Sequence, residues 1–267
     1  MDRLACAQAQ LYEMDRMAKG TSPVHRMHPL CKLAVTIAYI FVIVSFDKYA
    51  LSALAVMVLY PAVMFQMAEI PMRVCFYKLR FVLPLVCAVG LANPILDHVP
   101  MIRLGNLVIT GGVISMLTLM IKGCLALMAS FLLMATTPID MLCAALRKVH
   151  IPSMVTTLLL LIYRYVGVMM EEASIMLTAY RLRAPGEKGI RFSAWGSFLG
   201  QLLLRSMDRA QELYQSMILR GFQGEFFYSD SPACSVRSMV FTVVSICFFM
   251  CARFVNIAQM IGNLFVG

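Results

Sequence analysis

Long apolar blocks alternate with short charged tracts, and this alternation dominates the chain. Leu33–Phe46 is apolar behind Lys32, Tyr49–Ala68 is twenty residues without a charge, and Phe81–Leu96 is uncharged and holds Pro84 and Asn93-Pro94. From Leu104 to Ile139 the one charge is Lys122, and Gly105 with Gly111-Gly112 predicts a non-helical entry followed by a helix near 112–135. The run Ser238–Gly267 is broken only by Arg253. Since roughly 20 apolar residues cross a bilayer core of about 30 Å, each block is a candidate transmembrane helix.

One stretch follows a different rule. Ile151–Met170 is apolar except for Arg164, yet it continues without a breaker through Glu171-Glu172 to Arg183, about 50 Å of helix and more than one bilayer core. The tract Ala184-Pro185-Gly186-Glu187-Lys188-Gly189 then predicts a turn, and a second helix runs from about Ser193 to Arg220, closed by Gly221. In that second helix Leu199, Leu202, Leu203, Ala210, Leu213, Tyr214, Met217 and Ile218 recur at three- and four-residue steps, with Arg205, Asp208, Arg209 and Glu212 between them. The pattern predicts an amphipathic helix with one buried stripe and one wet or partner-facing stripe.

Composition fixes the solvent. The chain is 61% hydrophobic and 14% charged, against about 25% charged in a soluble domain, so an integral membrane protein is expected. The net charge of +9 does not point to nucleic acid, because Lys and Arg of membrane proteins concentrate on the cytoplasmic side. With 136–235 on the same side as the N-terminus and 69–80, that side collects 19 of the 23 basic residues, while the opposite loops hold Lys48 and Arg103. A full crossing by Ile151–Met170 would send the basic residues from Arg181 to Arg237 outside. The expected fold is therefore an all-α membrane protein of about five transmembrane helices, N-terminus in and C-terminus out, with a cytoplasmic helical hairpin before the last span. Its parts are a cytoplasmic segment 1–30, a four-helix membrane region 31–135, the cytoplasmic region 136–235 and a last span 236–262. The charged first twenty residues do not read as a cleavable signal peptide.

Candidate chemistry is sparse. The nine cysteines form no C-x-x-C and mostly sit in apolar runs, so neither a disulfide framework nor a zinc site is expected. No G-x-x-x-x-G-K-[ST] is present to cradle ATP phosphates. His25 and His28 lie three apart without a third metal-ligand type beside them, so no metal site or cofactor is expected. Glu171-Glu172 is similar to the glutamate pair of CAAX-type intramembrane proteases, but Met176 stands where that pattern has arginine. Lys122 and Arg253 are intramembrane charges that a stand-alone secondary transporter could use. Arg183 and Arg220 each end a long helix, where a cation complements the helix dipole and a guanidinium also suits bidentate docking to a partner.

Several tracts together resemble the transmembrane T component of energy-coupling factor (ECF) transporters, nearest the cobalt-type CbiQ branch. They are Ser22-Pro23-Val24-His25-Arg26-Met27-His28-Pro29-Leu30-Cys31-Lys32-Leu33, Asn93-Pro94, Tyr163-Arg164-Tyr165 with Glu171-Glu172, Ala179-Tyr180-Arg181-Leu182-Arg183, and Leu203-Leu204-Arg205-Ser206-Met207-Asp208-Arg209-Ala210 leading to Met217-Ile218-Leu219-Arg220-Gly221-Phe222. The resemblance covers roughly residues 20–225. It implies a non-catalytic coupling subunit that works with two ABC-type ATPases, as a homo- or heterodimer, and with a membrane S component that binds the substrate, cobalt first and nickel next. In that family each coupling helix carries an Ala-Arg-Gly-like tripeptide whose arginine enters an ATPase groove. The matching tripeptides here are Leu182-Arg183-Ala184 and Leu219-Arg220-Gly221, with Arg205, Asp208 and Arg209 as supporting residues. Both arginines stand, while the small flanking residues depart from the pattern, most at the first tripeptide.

Overall fold

The computed structural model describes residues 3–47, 51–91, 100–104, 107–186, 189–224 and 235–254. Lys48, Tyr49, Asn93-Pro94, Leu96, Gly105, Glu187, Lys188 and Gly267, all named above, lie outside them. In chain order the elements are α1 (Arg3–Ala18), α2 (Pro29–Ser45), α3 (Leu51–Met57), α4 (Leu59–Ala68), α5 (Met72–Gly90), β1 (Pro100–Leu104), β2 (Leu107–Thr110), α6 (Gly111–Thr136), α7 (Ile139–Lys148), α8 (Ser153–Arg183), α9 (Phe192–Leu219) and α10 (Val236–Phe254). The class is all-α, with one short antiparallel hairpin in which Arg103 pairs with Val108 and Leu104 with Leu107. That hairpin is the non-helical entry expected before α6.

The chain divides into two compact units, one of 1–16 with 139–231 and the other of 17–138 with 232–267. The second unit holds most of the apolar blocks. Its core is built by Val35, Tyr39 and Ile43 of α2, Phe46, Leu54 and Met57 around α3, Leu125 and Ala129 of α6, and Phe249 and Ala252 of α10. Tyr39, Tyr60 and Phe249 bring their rings to 4.7–5.1 Å of one another, which ties three helices at one point. Gly123 lets α5 and α6 approach closely, since a Cβ there would stand 2.9 Å from Cγ1 of Val86.

Two expectations change, and one element is new. The Tyr49–Ala68 block is two helices, α3 and α4, parted at Val58. Pro61 has no N–H to return to the carbonyl of Met57, and the Tyr39 hydroxyl donates to that carbonyl at 2.8 Å instead. The 69–80 stretch is not a loop: after Pro71, α5 starts at Met72, so Arg73, Lys78 and Arg80 ride on its first turns. No breaker stands between Pro71 and Pro84 to stop it. Finally, α7 is a separate amphipathic helix that buries Cys143, Ala144 and Ala145. It starts after Pro138 with Asp140 in its first turn and Arg147-Lys148 in its last, charges that suit the two helix ends.

By length and composition, α6, α8 and α10 can each cross a membrane, and Pro29–Ser45 and Leu54–Ala68 are shorter apolar helices. In the first unit, α7 packs on α8 and α8 meets α9. The apolar start of α8 is open, with Met154 79% and Leu158 57% exposed.

Candidate functional site

The hairpin of α8 and α9 runs antiparallel. The Tyr180 hydroxyl accepts from the Arg191 N–H near the turn, and Arg205 Nη1 meets Glu172 Oε2 at 2.7 Å further along. Beyond that, Tyr165 and Leu213 line the same cavity of about 360 Å³ with Leu158, Ile162 and Met217. The two helices therefore separate Arg183, beside the turn, from Arg220 at the far end of α9 by its 28 residues, about 42 Å.

Each tip is built by its own stop signal. At the end of α9, Gly221 takes φ +79°, its N–H reaches the Ile218 carbonyl at 2.9 Å, and the Phe222 N–H reaches that of Met217 at 3.0 Å. This is the Schellman arrangement, and it requires the left-handed backbone that glycine adopts without strain. Arg220 is the helix cap, with φ −90° and ψ 8°. At the end of α8, Ala184 leaves the helix in an extended turn with its N–H on the Tyr180 carbonyl at 3.0 Å, followed by Pro185 and by Gly186 at φ +106°. The different local geometry explains why a small residue other than glycine stands at 184.

Both guanidiniums are exposed, and each has a bare leucine before it: Leu182 is 78% and Leu219 88% exposed. Arg220 also borders a polar cavity of about 240 Å³ with Tyr165, Arg209, Glu212 and Ser216. Arg209 Nη1 pairs with Glu212 Oε2 at 3.3 Å, and Arg220 lines the same cavity. Asp208 is exposed on the same helix. Arg205 holds α9 to α8 through Glu172, so this glutamate is a structural partner, and Glu171 points to an exposed position.

The buried stripe expected on α9 is only partly buried. Leu199, Leu203, Tyr214 and Ile218 are at least half exposed, and no residue of α9 is fully buried. The less exposed residues, Ala194, Phe198, Leu202, Ser206, Leu213 and Met217, follow one line at four- and seven-residue steps. A single neighbouring helix covers a strip that narrow, and the wider apolar face is left open.

The other singled-out side chains have structural partners. His25 Nε2–H donates to the Met17 carbonyl and its Nδ1 accepts from Ser22; His28 Nδ1 caps α2 by accepting from the Leu30 N–H. The Lys122 ammonium donates to the carbonyls of Val44 and Phe46, and Arg253 reaches Ser45 Oγ at 3.4 Å and stacks 5.3 Å over the Phe46 ring. Both cations thus serve the carbonyl end of α2, where the dipole is negative. Among the described residues no group of three His, Cys, Asp or Glu side chains is placed to hold a metal.

A family profile described as cobalt transport protein, CbiQ, matches residues 20–229. The chain is 36% identical to the cobalt transport protein CbiQ of Rhodobacter capsulatus over 107 residues, 39% of this chain and 43% of that one. It is 26% identical to the energy-coupling factor transporter transmembrane protein EcfT of Leuconostoc gelidum over 230 residues, 78% of this chain and 82% of that one. The nickel permease LarQ of Lactiplantibacillus plantarum is 30% identical over 94 residues, 35% of this chain and 34% of that protein. The chain spans less than half of the first of these relatives and most of the second. With apolar helices fit to cross a bilayer and a profile match over most of its length, the chain is a multi-pass membrane protein and belongs to the CbiQ cobalt transport protein family.

Proposed function

We propose that this chain is the membrane coupling subunit of an ATP-driven ECF-type importer. The α8–α9 hairpin docks two ABC-type ATPases, one at Arg183 with Leu182 and Ala184, the other at Arg220 with Leu219 and Gly221. Arg205, Asp208 and Arg209 support the second tip. The observation that carries this reading is the pair of exposed leucine-arginine tips on one hairpin, each fixed by a defined helix stop, in a chain of this family.

The division of labour follows from the chemistry available. Guanidiniums offer forked donors that fit acidic or carbonyl-lined grooves, and an exposed leucine beside each supplies apolar contact. ATP hydrolysis belongs to the partner ATPases, since the chain carries no phosphate loop of its own. A membrane S component captures the cargo, cobalt first and nickel next, in keeping with the names of two relatives. The open apolar half of α8 lies against the membrane base or neighbouring helices, with 136–235 in the cytoplasm of a prokaryotic cell. The test is co-purification of the tagged chain from native membranes. Two cassette ATPases and one small membrane protein are expected; recovery of the chain alone, in mild detergent and at full yield, would overturn the reading.

A further inference from the structure

The polar tract Ser22–Lys32 has no part in the docking hairpin, yet it is among the most buried polar segments of the second unit. Ser22, His28 and Lys32 are 8%, 2% and 6% exposed, and Val24 is fully buried. The chain passes from one unit to the other three times, after residues 16, 138 and 231. On the side of the second unit, this one tract hydrogen-bonds to Met17, Thr136 and Ser238, a described residue near each passage.

At the first passage, α1 ends at Ala18 and the His25 ring donates to the Met17 carbonyl at 3.0 Å. Gly20 lies so close to that ring that a Cβ would stand 2.8 Å from it. At the second, the Lys32 ammonium donates to the carbonyl of Thr136, the last residue of α6, at 2.8 Å and to the carbonyl of His25 at 3.2 Å. A buried cation at the negative end of a helix dipole is a strong tie, because losing either partner leaves an unpaired buried group. Beyond the third, whose residues 225–234 lie outside the described ones, the His28 N–H donates to Oγ of Ser238, in the first turn of α10, at 3.3 Å. The tract itself is stiff: Ser22 Oγ bonds His25 Nδ1 at 2.7 Å, and the N–H groups of His25 and Arg26 both turn back to the Ser22 carbonyl.

We infer that Ser22–Lys32 is an anchor that holds the end of α1, the end of α6 and the start of α10 together in the membrane unit, with Lys32 as the positioning residue, so that movement at any one of the three chain passages reaches the other two. The transport consequence rests on the coupling reading; the anchor itself does not. The test uses the full chain in detergent, wild type against Lys32→Met and Lys32→Arg, and reads amide hydrogen exchange by mass spectrometry. Lys32→Met is expected to speed exchange about tenfold or more at three places together, 17–20, the end of α6 and the start of α10, with Lys32→Arg close to wild type. Faster exchange confined to the end of α6 would reduce Lys32 to a local cap and sink the proposal. Should Lys32→Met fail to accumulate, Ser238→Ala is read in the same way: loosening that spreads to 17–20 and the end of α6 supports the anchor, and loosening confined to α10 overturns it.

A second arm measures uptake by membranes that hold the chain with its co-purifying ATPases. Lys32→Met is expected to recover both ATPases and lose uptake at least about tenfold, because docking survives while the three passages move separately. Unchanged uptake with the exchange raised at all three places would overturn the mechanical role. Failure of the wild-type chain to recover ATPases would instead strike the coupling reading, and the exchange arm would still decide the anchor.

Discussion

At the scale of single residues, the two arginine tips separate two physical roles. A cation that only complements a helix dipole contributes about 0.3–1 kcal/mol, is replaced by lysine without loss, and is indifferent to partners. A guanidinium seated in a partner groove is worth about 2 kcal/mol or more, and lysine cannot copy its fork. We expect Arg220→Ala to weaken ATPase recovery by at least about tenfold, Arg220→Lys to rescue poorly and Arg220→Glu to be worst, with the same order at Arg183. Pull-down from extracted membranes measures this, and full recovery by the Arg183→Glu, Arg220→Glu double variant would exclude these tips as docking points. A second expectation concerns Cys143. Burial raises its thiol pKa, and the Asp140 carboxylate beside it adds to the shift. The thiolate is the reactive form, so at neutral pH Cys143 is mostly unreactive and labelling should rise as pH climbs. In a variant keeping Cys6 and Cys143 alone, maleimide should label the exposed Cys6 first.

Among the described residues, α4, α7 and α9 are each stopped by a left-handed residue, at Glu69, His150 and Gly221. Gly221 closes α9 as the sequence signalled, whereas α7 stops the same way with a histidine: His150 takes φ +67°, and its N–H and that of Ile151 reach the carbonyls of Arg147 and Leu146. A side chain in that region costs on the order of 1 kcal/mol, so His150→Gly should raise stability by about 0.5–1 kcal/mol in a reversible unfolding assay in detergent. Gly123→Ala works in the opposite sense. Its new methyl meets the stiff Val86 side chain, and a loss of about 1–3 kcal/mol is expected in the same assay. These particulars also mark what the sequence could tell. The apolar blocks, the Pro-Gly turn after Arg183 and the Gly221 stop were legible because each rests on local chemistry. The start of α5 was hidden because Arg73, Lys78 and Arg80 read as loop charges, although cations on long stems are at home on a helix near the membrane surface. The short α7 was overlooked for lack of a long apolar block, though Pro138, Asp140 and Arg147-Lys148 signalled its ends. The exposed half of the α9 stripe was not legible at all, because periodicity says that a face is apolar and nothing about which neighbour covers it.

For the whole molecule, the strongest sequence signal is the 19 basic residues gathered on one side of the proposed topology. A reporter enzyme active only in the cytoplasm should work when fused after residue 225 and fail at Gly267, because the positive side stays inside and one further span intervenes. Activity at both points would replace five spans with six. The length and hydropathy of α8 make it the one described helix whose crossing would change that count, and charge placement is what argues against it. The antiparallel hairpin has one more consequence, and it concerns symmetry. Its two tips differ in sequence, in helix stop and in surroundings: Arg183 borders a Pro-Gly turn, while Arg220 borders a cavity shared with Arg209 and Glu212. Two identical partners held at those ends would no longer be equivalent, each meeting a different surface. A homodimer would thereby acquire a distinguishable first and second member from a monomeric subunit, with no difference in their own sequence.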